Sequence, residues 1–432
     1  MTKLKAEKIT LLIAIAATTL LPVWFIPYDE PTAGLQAIKI LAKIGSLVGA
    51  MLLVWQFLLG FRGAVGWLVP DLLWLIDLHK ALGACAIPLI LLHPIFITIY
   101  YARRFGLNVF SFEADAAFAA YVALGVFALL LVAFIVVTSL FLRSRMDAHT
   151  WYRSHLLSYA IMPAVLVHGY AIGMTIAGTG MGVLWRVLIV LVSVFYLSRL
   201  LFRFGWAAHP HRVIRTVPVA DQTTEITMRP LAAKMTPRIG QFVFLRRQSL
   251  AGARPYTVSH YDPDTGELAV TIKALGETSS RHQDIEPGER VLLDGPYGVF
   301  TWEALTTHRP IVMIAGGIGI TPFRRLHRQL NPHSDRQHFL FYGNTDSRDI
   351  AYREELEQAG HVQVVHVISD EPDYPGEKGY ITADLLEKYL GPELARCEFF
   401  ICGPPAMTVK LERELHQRYV PTDQVHHELF TY

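Results

Sequence analysis

Four histidines stand inside apolar segments of the chain, where an ionisable side chain is costly and marks a functional position. His79 and His93 are fourteen positions apart, and His155 and His168 are thirteen apart. On helices rising 1.5 Å per residue, each pair is separated by roughly 20 Å along its own axis. If the two segments run in the same direction, His79 faces His155 at one level and His93 faces His168 at another. Two facing imidazoles can ligate a haem iron from both sides, so the pattern predicts two stacked b-type haems. The alternative is that the same residues line a transport path or a helix interface. At 100° per residue, fourteen positions return within about 40° of one face, whereas thirteen miss by about 140°. Pro88 and Pro163 lie between the members of each pair, and proline disturbs helical register. His149 is a spare candidate outside the paired pattern. Asp77 and Lys80 flank His79 and read as markers of the membrane interface.

The elements that must carry these histidines follow from composition. Of 432 residues, 52% are hydrophobic and 18% charged, against about one quarter charged in an average soluble domain. That balance excludes a disordered chain, and three cysteines exclude a disulfide scaffold. A net charge of +2 makes no case for nucleic acid. The apolar excess lies before residue 205, in six runs at roughly 8–26, 38–60, 72–100, 116–141, 152–174 and 182–203. Each is near or above the roughly 20 residues that span a bilayer, and helix is the form that satisfies its backbone there. The first run is long, has no small-residue cleavage signature and is followed by five more, so it reads as a retained helix and not a signal peptide. Lys3, Lys5 and Lys8, then Arg143, Arg145 and Arg153, then Arg199 and Arg203 fall on one side. The basic bias puts both termini in the cytoplasm, with Arg103 and Arg104 as the exception.

After about residue 204 the pattern changes to short alternating segments such as EITMRP, QFVFLRR and ELAVTIKA. Turn residues punctuate them, which predicts an antiparallel barrel over about 213–300. From 309, strand and helix patterns alternate, which predicts a parallel sheet with crossovers. Arg254-Pro255-Tyr256-Thr257 combines an arginine and a hydroxyl, which suit a phosphate, with a ring that suits a flat ligand. Lys273 and Gly276-Glu277-Thr278-Ser279-Ser280 form a small-residue turn that would receive a pyrophosphate if Thr278 opens a helix. An ordinary barrel turn is the competing reading for each. Gly316-Gly317-Ile318-Gly319-Ile320-Thr321-Pro322 follows an apolar strand, and its glycines let backbone approach a phosphate. Cys402-Gly403-Pro404 ends the last predicted strand, where ligands bind in such sheets. A buried core thiol is the alternative for Cys402.

Together these residues closely resemble the ferric reductase and NADPH oxidase superfamily of transmembrane flavocytochromes, and most of all its bacterial NADPH oxidase-like members. The resemblance runs from the second or third span to the end of the chain. It implies a six-helix transmembrane haem bundle at 1–205, an FAD-binding barrel at 206–303 and a nicotinamide-binding α/β domain at 304–432. His79, His93, His155 and His168 match the haem ligands. Arg254, Pro255, Tyr256 and Thr257 match the flavin motif, although the oxidases more often have histidine where Arg254 stands. Lys273, Gly276, Thr278 and Ser279 fall where the family holds the FAD pyrophosphate. Gly316, Gly317, Gly319, Thr321 and Pro322 match the nicotinamide dinucleotide motif, and Cys402, Gly403 and Pro404 match the segment beside the nicotinamide. Terminal Phe430-Thr431-Tyr432 resembles the aromatic ending that shields the isoalloxazine, with Tyr432 favoured for that role.

The resemblance implies a chain in the bacterial inner membrane that moves electrons from cytoplasmic NADPH through FAD and two haems to an outer acceptor. Arg348, after the HFLFYG strand, favours NADPH, with NADH the alternative. Dioxygen giving superoxide is the first expectation for the acceptor. A ferric chelate, or a periplasmic or membrane redox partner, is the alternative, and a non-catalytic scaffold is the reading outside enzymes. Three isolated cysteines cannot supply the four thiolates of a 2Fe–2S cluster, and no EF-hand loop predicts calcium control. No obligate protein partner is indicated.

Overall fold

The computed structural model describes residues 3–66, 68–109, 116–247, 252–330, 336–358 and 360–428. The chain forms two compact units, Met1–Leu200 and Leu201–Tyr432.

In the first unit, six helices among the described residues are long and apolar enough to cross a membrane. They are Lys3–Phe25, Ala33–Leu59, Leu72–Phe105, Ala116–Phe141, His149–Ile172 and Met181–Arg203. The third is longer than its apolar run because it continues through Arg103 and Arg104 to Gly106, whose φ of +67° closes it. Its other end is capped by Asp71, which accepts from the Trp74 N–H at 3.1 Å and is itself held by Lys8 at 2.7 Å. Arg104 is paired with Glu30, which also receives Lys39 and the Tyr100 hydroxyl. Spans two, five and six meet in one apolar cluster around Met51, Leu166, Met181 and Trp185. The Trp185 indole donates to the Leu166 carbonyl at 2.9 Å.

Four spans leave the α pattern, the first of them only at its end, where Leu21–Phe25 is 3₁₀. Wider π turns occupy Ile44–Val48 in the second and Val137–Phe141 in the fourth. In the fifth, a tight 3₁₀ stretch of five residues, Leu156–Ala160, separates Ala148–His155 from Ile161–Ile172. A 3₁₀ residue turns about 120° and rises about 2.0 Å, so this stretch adds roughly 100° of rotation and about 2.5 Å of length. The expected 140° mismatch between His155 and His168 falls to about 40°, equal to that of His79 and His93. Pro163 has no N–H to offer the Tyr159 carbonyl four residues back. The Tyr196 hydroxyl from span six donates to that carbonyl instead.

In the second unit, six strands close an antiparallel barrel: β1 (His209–Ala220), β2 (Thr223–Pro230), β3 (Phe242–Arg246), β4 (Arg254–Tyr261), β5 (Leu268–Lys273) and β6 (Arg290–Tyr297). Their order round the barrel is β1-β2-β5-β4-β3-β6, and the interior is filled by residues such as Ile226, Leu245, Val258 and Leu293. A short helix, α1 (Glu277–Gln283), lies between β5 and β6. The α/β layer follows, with β7 (Ile311–Gly316), α2 (Thr321–Gln329), β8 (His338–Asn344), α3 (Arg353–Glu357), β9 (Val362–Ile368), β10 (Glu377–Lys378), α4 (Ala383–Leu390), β11 (Glu398–Cys402), α5 (Pro405–Gln417) and β12 (Val425–Glu428). Its sheet is parallel, in the order β10-β9-β8-β7-β11-β12. The strand ending at Cys402 is therefore not the last, because β12 adds a further edge beyond it. Helix α3 is shorter than the predicted 349–359, since Tyr352 sits at φ +60° and delays its start.

Barrel and sheet are joined by a buried polar network. The Glu225 carboxylate on β2 accepts from the Arg324 guanidinium of α2 and from the Tyr352 hydroxyl at 2.9 Å. The guanidinium lies 3.8 Å over the Tyr352 ring and reaches Glu355 at 3.1 Å. Glu225→Gln removes one member of a buried charge pair and is expected to cost about 3 kcal/mol, read as a lower midpoint of thermal unfolding. In the other unit, Tyr196→Phe leaves the Tyr159 carbonyl without its donor. It should lower stability by about 1–2 kcal/mol, measured by thermal unfolding in detergent.

Candidate functional site

The structure brings the four intramembrane histidines together as two pairs. The His79 and His155 rings lie 6.4 Å apart between centroids, and the His93 and His168 rings 6.2 Å apart. Imidazole nitrogen binds a metal at about 2.0 Å and lies about 1.1 Å from its ring centre, so two rings across one ion stand about 6.2 Å apart. The outer nitrogens support that use. His93 Nδ1 donates to the Ala42 carbonyl at 3.2 Å, and His168 Nδ1 to the Tyr121 carbonyl at 2.7 Å. His155 Nδ1 meets the Ser139 hydroxyl at 3.3 Å, inside the π turn of span four. An Nδ1–H held by a carbonyl leaves Nε2 as the free lone pair for a metal. His79 differs, because its buried Nδ1 has no hydrogen-bond partner among the described residues. The Trp151 ring stacks 5.0 Å from His155, with the Arg143 guanidinium 4.8 Å over it, and its indole N–H is also unpartnered.

Glycine makes room beside the second pair. A Cβ on Gly45 would lie 2.3 Å from the His93 backbone nitrogen, and one on Gly125 would lie 2.6 Å from the His168 ring. A cavity of about 220 Å³ opens here, lined by His93, His168, Gly45, Gly125, Tyr101 and Lys43. Lys43 escaped the sequence reading. Its signal was a second cation, one helical turn after Lys39, inside the second apolar span. The spare candidate His149 opens span five near the capping Asp147, away from either pair of rings.

In the barrel, Arg254, Pro255, Tyr256 and Thr257 form the start of β4 and pair with Leu245, Phe244, Val243 and Phe242 of β3. Arg254 is exposed and Thr257 is buried, with its hydroxyl unpartnered. A buried hydroxyl without an acceptor costs about 1–3 kcal/mol, so a ligand polar atom fits there. The Tyr256 hydroxyl bonds His282 Nδ1 at 2.9 Å, and burial pushes its phenol up to about 12. Helix α1 begins at Glu277, one residue before the expected Thr278. The Ser279 hydroxyl accepts from the Leu275 and Gly276 N–H groups, each at 3.0 Å, so it closes the turn. Lys273 is held by Asp349 of the α/β layer at 3.0 Å.

Two glycine-bearing turns face each other at the carboxyl ends of β7 and β11. Gly317 adopts φ +53°, with open space where a side chain would stand. A Cβ on Gly319 would lie 2.1 Å from the Cys402 carbonyl oxygen, so this position tolerates nothing larger than glycine. Gly316 packs against Pro404 and Met407, and Gly403 against Gly316 and Met407. Thr321 and Pro322 open α2, the Thr321 hydroxyl donating to the Ile318 carbonyl at 3.1 Å. Cys402 is fully buried, and burial, with Glu428 adding repulsion, pushes its thiol well above its usual range. It therefore stays protonated. Glu428 is opposite it on β12 and is also buried. The sequence reading missed this acid because the strand carrying it was not foreseen. Arg348 is exposed and forms a two-point pair with Asp346 at 2.9 and 3.0 Å, which holds the Asp346 carboxyl down to about 2. Phe430, Thr431 and Tyr432 lie outside the described residues.

Three known domain families match in chain order. Residues 46–166 match a ferric reductase like transmembrane component, 221–302 an oxidoreductase FAD-binding domain and 313–412 an oxidoreductase NAD-binding domain. The chain is 33% identical over 165 residues to NADH-cytochrome b5 reductase 2 of Neurospora crassa, covering 36% of this chain and 48% of that protein. It is 31% identical over 182 residues to the Aspergillus niger protein of the same name, covering 40% and 55%. It thus spans about half the length of the curated relatives it matches. Among solved structures, the ferredoxin reductase in carbazole 1,9a-dioxygenase matches with a TM-score of 0.47 at 23% identity, over 52% of this chain and 69% of that one. The three domain matches in this order, the first within the six long apolar helices and the other two after them, place the chain in the ferric reductase and NADPH oxidase superfamily.

Proposed function

We propose that the chain carries electrons across a membrane from a reduced nicotinamide, through FAD and two bis-histidine b-type haems, to dioxygen, which becomes superoxide. One hydride supplies two electrons, two dioxygen molecules take one each, and one proton is left on the donor side. The observation that carries this reading is the meeting of four intramembrane histidines as two pairs, each spaced for one metal ion. The domains are 1–205 for the haem bundle, 206–303 for the flavin barrel and 304–432 for the nicotinamide domain. On the bias of the basic residues we assign both termini to the cytoplasmic side, and we assign the membrane to the bacterial inner membrane.

His79 with His155, and His93 with His168, would hold the haems. Arg254, Pro255, Tyr256, Thr257, Lys273, Gly276, Thr278 and Ser279 would hold FAD. Gly316, Gly317, Gly319, Thr321, Pro322, Arg348, Gly403 and Pro404 would hold the nicotinamide dinucleotide, with Tyr432 against the flavin ring. Bound there, FAD would supply the exchange of a hydride for single electrons, and haem held by paired histidines would supply one-electron relay. The protein sets position and exclusion of water. Cys402, protonated and buried, packs beside the nicotinamide turn as a neutral wall and not as a nucleophile. A ferric chelate is the second reading, favoured by the ferric reductase like family that matches the membrane segment.

The purified protein should show b-type bands in a reduced-minus-oxidised spectrum, and their absence overturns the haem path. His93→Leu or His168→Leu should remove about half the haem and leave flavin reduction by the nicotinamide intact. Stopped-flow oxidation of the reduced protein separates the acceptors. Faster reaction with ferric citrate than with air, without a dismutase-sensitive dye signal, favours the chelate. We assign NADPH on the strength of Arg348. Arg348→Ala should raise KM for NADPH about tenfold, as for one charge-assisted contact, and leave KM for NADH unchanged. A lower KM for NADH than for NADPH, with neither value changed in Arg348→Ala, reverses the assignment to NADH.

A further inference from the structure

We propose that His282 is a positioning residue that joins the two halves of the flavin cradle by orienting the Tyr256 phenol, an inference that rests on the FAD reading above. Nothing in the spacing of the motifs points to it. Tyr256 belongs to the Arg254–Thr257 stretch on β4, and His282 belongs to α1, the helix opened by the Gly276–Ser280 turn. The two stretches are 26 positions apart in sequence where their side chains meet, Tyr256 Oη to His282 Nδ1 at 2.9 Å. The rings stand edge to face, 5.7 Å between centroids and 65° apart.

His282 is a fixed post. It is 4% exposed. The helix carrying it is pinned at its start by Ser279 on the Leu275 and Gly276 N–H groups. At its end the Gln283 amide donates to the Gln222 carbonyl at 2.6 Å and the Ile272 carbonyl at 2.7 Å. Ile285, two residues on, enters the barrel core. Burial, with the Arg254 and Arg247 charges adding repulsion, pushes the imidazole down to about 4. At neutral pH it is uncharged and has one N–H and one lone pair. The phenol keeps its proton as well. With the phenol O–H engaged by Nδ1, the Tyr256 oxygen offers lone pairs elsewhere, which suits a ligand hydroxyl as donor. Loss of His282 frees the phenol to rotate and uncouples the β4 motif from the α1 turn.

The test uses the full-length protein in detergent, stripped of flavin and titrated with FAD by fluorescence quenching, with thermal unfolding followed in parallel. His282→Leu and Tyr256→Phe should each raise the FAD Kd about tenfold. The double variant should show the same tenfold and not a hundredfold, because both changes remove one interaction. His282→Asn, whose amide reaches the place of Nδ1, should bind within about twofold of wild type. His282→Gln keeps polarity but not that place and should bind as weakly as His282→Leu, so it carries the comparison if the leucine variant does not fold. Wild-type affinity in both His282→Leu and His282→Gln, multiplied penalties in the double, or no advantage of Asn over Gln overturns the inference. A wild-type chain that takes up no FAD overturns the functional reading itself, and this inference with it.

Discussion

An imidazole inside a bilayer has two nitrogens to place and no water to place them in. That constraint organises the membrane unit. His93 and His168 hand Nδ1 to backbone carbonyls of neighbouring spans, Ala42 and Tyr121, and His155 turns Nδ1 to a serine hydroxyl. The remaining nitrogen of each ring is then left for the space between the spans, where the facing ring stands a little over 6 Å away. The two π turns sit at these rings. One π turn contains Gly45, against His93, and the other contains Ser139, against His155. Such turns cost hydrogen-bond quality and recur where function requires a particular side-chain direction.

The same constraint explains the fifth span. Four rings can pair at two levels only if both spans bring their histidines to one face with the same vertical separation. Span three meets this with fourteen α-helical positions. Span five has one position fewer, and the five-residue 3₁₀ stretch makes up both the angle and the rise. Pro163, in the helix that follows this stretch, is accommodated by a hydroxyl from span six, so the carbonyl it strands is not left bare in an apolar core.

In the second unit, position is set by charge in a dry setting. The Glu225, Arg324 and Tyr352 network ties a barrel strand to the first helix of the sheet layer, and Lys273 with Asp349 adds a second tie. These contacts link the barrel that carries the Arg254–Thr257 stretch to the layer that carries the Gly316–Pro322 turn, within one compact unit. Residues assigned to the cofactor sites also hold protein partners. Lys273 and Ser279 have protein partners, and Arg348 shares its charge with Asp346.

Much was legible from the chain alone. Run length and lack of charge dictate six membrane helices, because lipid forces backbone groups to bond within their own segment. Period-two alternation and turn residues announce the barrel, and the strand–helix rhythm announces the sheet. The histidine spacings even showed that one pair needed a correction. Their source was not legible, because proline says that register is disturbed but not by how much or in which sense. Contacts distant in sequence were equally out of reach. Lys43 beside the second histidine pair, Glu428 opposite Cys402 and His282 on Tyr256 are ordinary residues in their own neighbourhoods. Local pattern determines which elements form. Which side chains share a buried volume is decided when those elements pack, since a buried polar atom takes its partner from whatever the fold brings within 3 Å.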